Sequence, residues 1–163
     1  MQLLAGVERA TARFVETRHS VLLKSPLVLS GTLSYRRPDS LEKHVLSPYD
    51  ERTSIEGEQV TIENRARGWK KTLSIAAAPT IAGLVESIRA TRAGEIGRLE
   101  RYYRVEAGGD PRQWWLRLRP HDPEIAEYVT AVLVSGSNAR IERIEVHETS
   151  GDSTVMEIWE ELR

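Results

Sequence analysis

Leu27-Val28-Leu29-Ser30-Gly31-Thr32-Leu33-Ser34-Tyr35-Arg36-Arg37 is the stretch on which the reading of this chain turns. Its odd positions hold Leu27, Leu29, Gly31, Leu33 and Tyr35, and its even positions hold Val28, Ser30, Thr32, Ser34 and Arg36. Successive side chains of a strand point to opposite faces, so this segment predicts a strand with one greasy and one wet side. That is the pattern of an antiparallel sheet covered on one face only. Pro38-Asp39-Ser40 supplies the turn that ends it. Arg37 continues the apolar row, and a guanidinium on a dry face has to be hydrogen-bonded. Two readings follow for it. Either it snorkels to water at the sheet rim, or its donors latch the sheet to something lying over it, such as a helix opening at Pro79.

The same alternation recurs outward from this strand. Val60 and Ile62 sit between Gln59, Thr61 and Glu63. Trp69, Leu73 and Ile75 share a face opposite Lys70, Thr72 and Ser74. Trp114, Leu116 and Leu118 alternate with Trp115, Arg117 and Arg119, and Met156 and Ile158 oppose Val155, Glu157 and Trp159. Turn signals fall between the runs at Glu56-Gly57-Glu58, Gly108-Gly109-Asp110, Ser135-Gly136-Ser137-Asn138 and Ser150-Gly151-Asp152. Short strands joined by hairpins predict a meander.

Three segments read as helix. Leu3, Leu4, Val7, Thr11 and Phe14 recur at helical spacing, predicting an amphipathic helix over residues 2 to 17. Pro79 opens a segment in which Ile81, Leu84, Val85 and Ile88 follow the i, i+3, i+4, i+7 pattern to about Thr91. Ala93-Gly94-Glu95-Ile96 begins a further short turn of helix before a strand around Tyr102 to Val105. No repeat, low-complexity tract or linker divides the chain, so residues 1–163 are expected to form one domain.

Composition removes several functional classes. With 23 basic and 24 acidic residues the formal net charge is −1, which argues against a nucleic-acid footprint or one for an anionic membrane surface. The absence of cysteine excludes disulfides, zinc–thiolate sites, iron–sulfur clusters and a thiol nucleophile. No run reaches the roughly 18 apolar residues of a membrane-spanning helix. Met1 to Gly6 lacks the features of a signal peptide, so the protein is either cytoplasmic or begins behind a removed leader.

Catalytic chemistry is not apparent. His19, His44, His121 and His147 are scattered without metal-ligand spacing. There is no nucleophile elbow, phosphate-binding loop or dinucleotide fingerprint. Asp122 in Pro120-His121-Asp122-Pro123 reads as turn chemistry. Glu142, Glu145, Glu160 and Glu161 read as solvated charges rather than a catalytic carboxylate pair. The expectation is a protein that is not an enzyme and uses no metal or cofactor.

The order of features is familiar beyond these patterns. An N-terminal helix ending in Phe14-Val15-Glu16 is expected, followed by a strand and then by Leu27-x-x-Ser-Gly-Thr-Leu-x-Tyr-Arg-Arg37-Pro38-Asp39; a short strand follows that ends at Ser47-Pro48, then an Ile55-Glu-Gly57 hairpin. Ala93-Gly94-Glu95-x-x-x-Leu99, Trp115-x-Leu-x-Leu-x-Pro120 and Gly151-Asp-x-Thr154 complete the series. This resembles the LolA/LolB-type periplasmic lipoprotein carrier superfamily in its LolA-like branch, over nearly the whole chain. Its most specific piece is Gly31 to Pro38.

The resemblance implies an α+β fold: a curved antiparallel half-barrel of about 11 strands with helices forming a lid over an apolar cavity. It implies a carrier without cofactor, located in the periplasm with its signal peptide removed, that shelters the acyl chains of a lipoprotein or lipid on the way to the outer membrane. An inner-membrane exporter and an outer-membrane receptor would be its partners. The arginine that latches the lid in the family falls on Arg37. Leu27, Leu29, Leu33, Tyr35, Val60, Ile62, Leu73, Leu116 and Leu118 are expected to line the cavity, under a lid of Ile81, Leu84, Val85 and Ile88. A sheltered site suits such a cargo, because each exposed methylene costs about 0.8 kcal/mol. The same alternation also fits an ordinary filled core, and with it an envelope interaction module that binds no lipid. A glycolipid or polyene-type lipid is a further candidate cargo.

Overall fold

The structure, a computed structural model, describes residues 9–37, 40–75 and 96–162. Eleven strands form a single antiparallel sheet: β1 (Arg9–His19), β2 (Leu27–Arg36), β3 (Ser40–Ser47), β4 (Glu51–Glu56), β5 (Gln59–Asn64), β6 (Trp69–Ser74), β7 (Tyr103–Asp110), β8 (Gln113–Pro120), β9 (Val129–Ser137), β10 (Arg140–Glu148) and β11 (Ser153–Leu162). Two short helices are described, α1 (Ile96–Glu100) and α2 (Pro123–Ala126). The strand order is β6-β5-β4-β3-β2-β1-β11-β10-β9-β8-β7. Two meanders are therefore joined where the first strand pairs with the last. The sheet is open between β6 and β7, which are consecutive in sequence.

The helix expected over residues 2 to 17 is corrected: residues from Arg9 to His19 are the central strand. Its true period is two. Ala10, Ala12, Phe14 and Glu16 are buried, while Arg9, Thr11 and Arg13 are exposed. β1 is paired along both edges, Phe14 lying between Gly31 of β2 and Ile158 of β11. Those two ladders override the local helical spacing. Residues 1–8 of that expected helix lie outside the described residues, as does the whole segment carrying Ile81, Leu84, Val85 and Ile88.

The alternations read from sequence hold where they can be followed. Leu29, Leu33 and Tyr35 of β2 are buried and Ser34 and Arg36 exposed. Leu116 and Leu118 are buried while Trp115 and Arg119 are exposed, and Met156 and Ile158 are buried against exposed Glu157 and Trp159. The turn expected at Gly108-Gly109-Asp110 falls two residues later, at Pro111-Arg112. Asp110 Oδ1 fixes it by accepting the backbone N–H groups of Arg112 (2.8 Å) and Gln113 (3.1 Å). Gly57 takes φ 58° in the two-residue β4–β5 hairpin, a left-handed conformation that side chains other than glycine adopt at a cost. Asp122 caps α2, its Oδ1 accepting the N–H of Glu124 (3.0 Å) and of Ile125 (3.2 Å). Helix α1 starts at Ile96, where the sequence pointed to a short helical turn.

Candidate functional site: the inner face of the sheet

The register puts the buried residues of all these strands on one face. Reading across one row, Val146 of β10 lies beside Val132 of β9, which lies beside Leu118 of β8, which lies beside Val105 of β7. On the other side Tyr35 of β2 lies beside Leu41, then Ile55, Val60 and Leu73. Leu29, Val60, Leu118, Val129, Val132 and Val134 are wholly withdrawn from solvent. Burying each such side chain contributes about 1.5–3 kcal/mol, so this face is the main source of stability as well as the candidate site.

All nine residues expected to line a cavity lie on this face. Leu29, Leu33, Tyr35, Val60, Leu116 and Leu118 are buried in one contiguous cluster, and Leu27, Ile62 and Leu73 are half-buried against it. Lys71 shares the face with Trp69 and Leu73, opposite Ile62. Arg37 stands exposed in the turn after β2.

The central strand grades the inner face along its length. Ala10 and Ala12 are small, and a recess of ≈ 20 Å³ opens over them, walled by Leu33, Tyr35, Leu41, Ile141, Ile144, Ile158 and Glu160. That holds about one water molecule and is far smaller than an acyl chain. Larger depressions of ≈ 470 and ≈ 430 Å³ surround Trp159 on the outer face, but they are open and lined largely by charged or hydroxylated residues. Glu160 was expected to be a solvated charge. It is half-buried beside Ala12, and its Oε2 accepts the backbone N–H of Ile141 at 2.9 Å. Its carboxylate thereby serves the β10 backbone next to an irregularity in the β9–β10 pairing.

At the other end of β1 the face turns polar. Glu16 is 1% exposed, and its carboxylate accepts from Lys43 Nζ at 2.7 Å and from Arg18 Nε at 2.9 Å. Lys43 Nζ also lies 5.5 Å from the centroid of the Phe14 ring. Burial pushes the Lys43 ammonium below its ordinary 10.5, while the Glu16 carboxylate pulls it back up. This cluster could not be read from sequence, because Glu16 and Lys43 sit on different strands and Glu16 reads as a polar interruption. The other buried polar side chain among the described residues is Asn64, whose Oδ1 accepts the Arg67 N–H at 3.0 Å and closes the β5–β6 turn.

Among the described residues no cluster of histidine and acidic side chains is placed to hold a metal, and no helix is long and apolar enough to cross a membrane. On the outer face Glu145 meets Arg143 and His147. Burial alone would raise its carboxyl, but the hydrogen bonds and charges of those two partners outweigh it and hold it below 4.5. This is ordinary surface pairing rather than acid–base machinery.

The described strands thus form an open antiparallel sheet that gathers its buried apolar residues on one face. Residues 1–157 match the family described as outer membrane lipoprotein carrier protein LolA-like. The chain belongs to that family. Its structure is similar to a LolA superfamily protein from Nitrosomonas europaea, with a TM-score of 0.52 at 10% identity, covering 97% of this chain and 87% of that one. It is also similar to a chain of the MucA/MucB complex of Pseudomonas aeruginosa, with a TM-score of 0.50 at 9% identity, covering 98% of this chain and 54% of that one. Identities this low concern the fold alone. No curated protein matches the sequence.

Proposed function

We propose that this protein is a non-catalytic periplasmic carrier that shelters the acyl chains of a lipoprotein or lipid on its inner face for transfer toward the outer membrane. The observation behind this reading is that both meanders turn an apolar row to the same face, Leu73 to Tyr35 in one and Val146 to Val105 in the other, on a fold whose family is that of lipoprotein carriers. The recess over Ala10 and Ala12 would have to widen to take an acyl chain, so binding at that point would be coupled to opening. In this reading the segment with Ile81, Leu84, Val85 and Ile88 is the lid, and Arg37 is its latch.

The fully buried side chains of this face favour a second reading, an envelope module with a filled interior that works through protein contacts. Mass spectrometry of organic extracts from the purified protein, together with titration of a fluorescent fatty acid, separates the two. The carrier gives co-purifying acyl species and saturable probe binding; a clean extract and no binding leave the filled module. Arg37→Leu is expected to change the rate of probe release at least several-fold without unfolding the protein, because Arg37 is exposed. A release rate equal to that of the original protein removes the latch role.

A further inference from the structure

The inner face does not account for the rim of the sheet where β1 ends and β2 begins. The loop between them carries Val21, Leu22 and Leu23 in succession, with Val21 74% and Leu22 89% exposed, followed by Lys24. Single exposed apolar residues are common, but three in a row at a loop tip are not. The loop is held rather than trailing: the Val21 N–H donates to Asp152 Oδ1 at 3.1 Å, tying it to the β10–β11 turn. That turn is tied in its own right to the next one, the Thr149 N–H donating to the Tyr128 carbonyl at 3.0 Å. Apart from Trp115 and Trp159, every exposed large apolar side chain among the described residues lies at or beside this rim, including Leu46, Trp69 and Tyr128.

The β5–β6 end of the rim carries a cluster of cations. Arg65 and Arg67 stand in the β5–β6 turn, and the half-exposed indole of Trp69 opens β6 next to Lys70 and Lys71; all five are exposed. Glu63 pairs with Arg65 at 3.3 Å and lies across the ladder from Lys70. The acidic side chains Glu124, Glu127 and Glu148 stand at the opposite sector, around α2 and the end of β10. The net charge of −1, which spoke against an anionic surface, conceals this local cluster.

We propose that this rim is a membrane-docking surface, in which Leu22 and its neighbours enter the interfacial layer of a bilayer while the β5–β6 cations meet anionic headgroups. Apolar side chains at a loop tip gain by burial in the headgroup–acyl boundary, indole and phenol rings favour that boundary, and clustered cations add attraction to anionic lipid. The inference is independent of whether the inner face holds a lipid, since it needs no cargo.

The chain has no cysteine, so Leu22→Cys creates a unique site for an environment-sensitive fluorophore, and Arg112→Cys on the β7–β8 turn does so at the opposite rim. Each labelled protein is mixed with vesicles of phosphatidylcholine alone or with added phosphatidylglycerol. The label at position 22 is expected to shift to the blue with phosphatidylglycerol vesicles only, and the label at 112 to stay unchanged. In sedimentation with the same vesicles, Lys70→Glu with Lys71→Glu is expected to lower partitioning at least twentyfold, at about fivefold for each cation removed. Leu22→Asp, at a solvent-exposed site, is expected to lower it at least tenfold. No partitioning, equal partitioning on both vesicle types, or an equal response from both labels overturns the proposal.

Discussion

Gly31→Ala is expected to destabilise the protein by about 3 kcal/mol and lower its melting temperature by about 10 °C. Gly31 sits at an irregularity in the β2–β3 pairing, where Ser30 lies opposite Ser47 but Gly31 lies opposite Val45. The β3 backbone leans over the glycine there. A Cβ at position 31 would stand 1.9 Å from the His44 carbonyl oxygen and 3.0 Å from the Val45 Cα. Both obstacles are main chain, so the methyl group is accommodated only by separating the strands and loosening their ladder. Gly97 in α1 offers the opposite case: nothing lies within 4 Å of its added Cβ. Gly97→Ala is expected to stabilise by about 0.5–1 kcal/mol through the lost freedom of the unfolded chain. Urea unfolding of both variants checks the pair, and equal midpoints would show that β3 yields without cost.

Glu16→Leu is the second large loss, about 3 kcal/mol at neutral pH. It leaves the Lys43 ammonium, only 16% exposed, on a dry face without its 2.7 Å partner. Arg18 is less affected, because its side chain is 42% exposed and can turn to water. Replacing both members, Glu16→Leu with Lys43→Met, removes the stranded charge and is expected to recover most of the loss. Lys43 also sets a pH dependence. Its folded pKa lies below the 10.5 of the free side chain, chiefly through burial, so just below 10.5 the unfolded chain holds a proton that the folded chain has lost. Stability from this group therefore rises with pH across that window. Unfolding free energies of the original protein and of Lys43→Met, compared from neutral pH up to 10.5, isolate the effect; parallel curves would remove it.

The legible part of the fold was the part encoded two residues at a time. β2, β8 and β11 announce themselves because leucine, isoleucine and methionine alternate with charged or hydroxylated neighbours. β1 does not, since its inward row is Ala10, Ala12, Phe14 and Glu16: two residues that favour neither environment strongly, one aromatic and one acid. Its apolar residues happen to satisfy helical spacing, and only pairing with β2 and β11 decides otherwise. Likewise the inward direction of the nine lining residues could be read from alternation, but the volume left between them could not, because a filled face and a hollow one require the same pattern. The Glu16–Lys43 pair was invisible because its members, 27 residues apart, are near only after folding.

The pairing of the first described strand with the last has a consequence for how the protein is made. Partners such as Phe14 and Ile158 come from opposite ends of the sequence, so the seam between the two meanders is among the most non-local contacts the chain contains. Until β11 has been synthesised, β1 presents an open edge and the inner face of one half has no continuation. Topologies of this kind fold slowly. The sheet is thereby completed only once β11 has been made, and until then the open edge of β1 is the point most in need of protection from other chains.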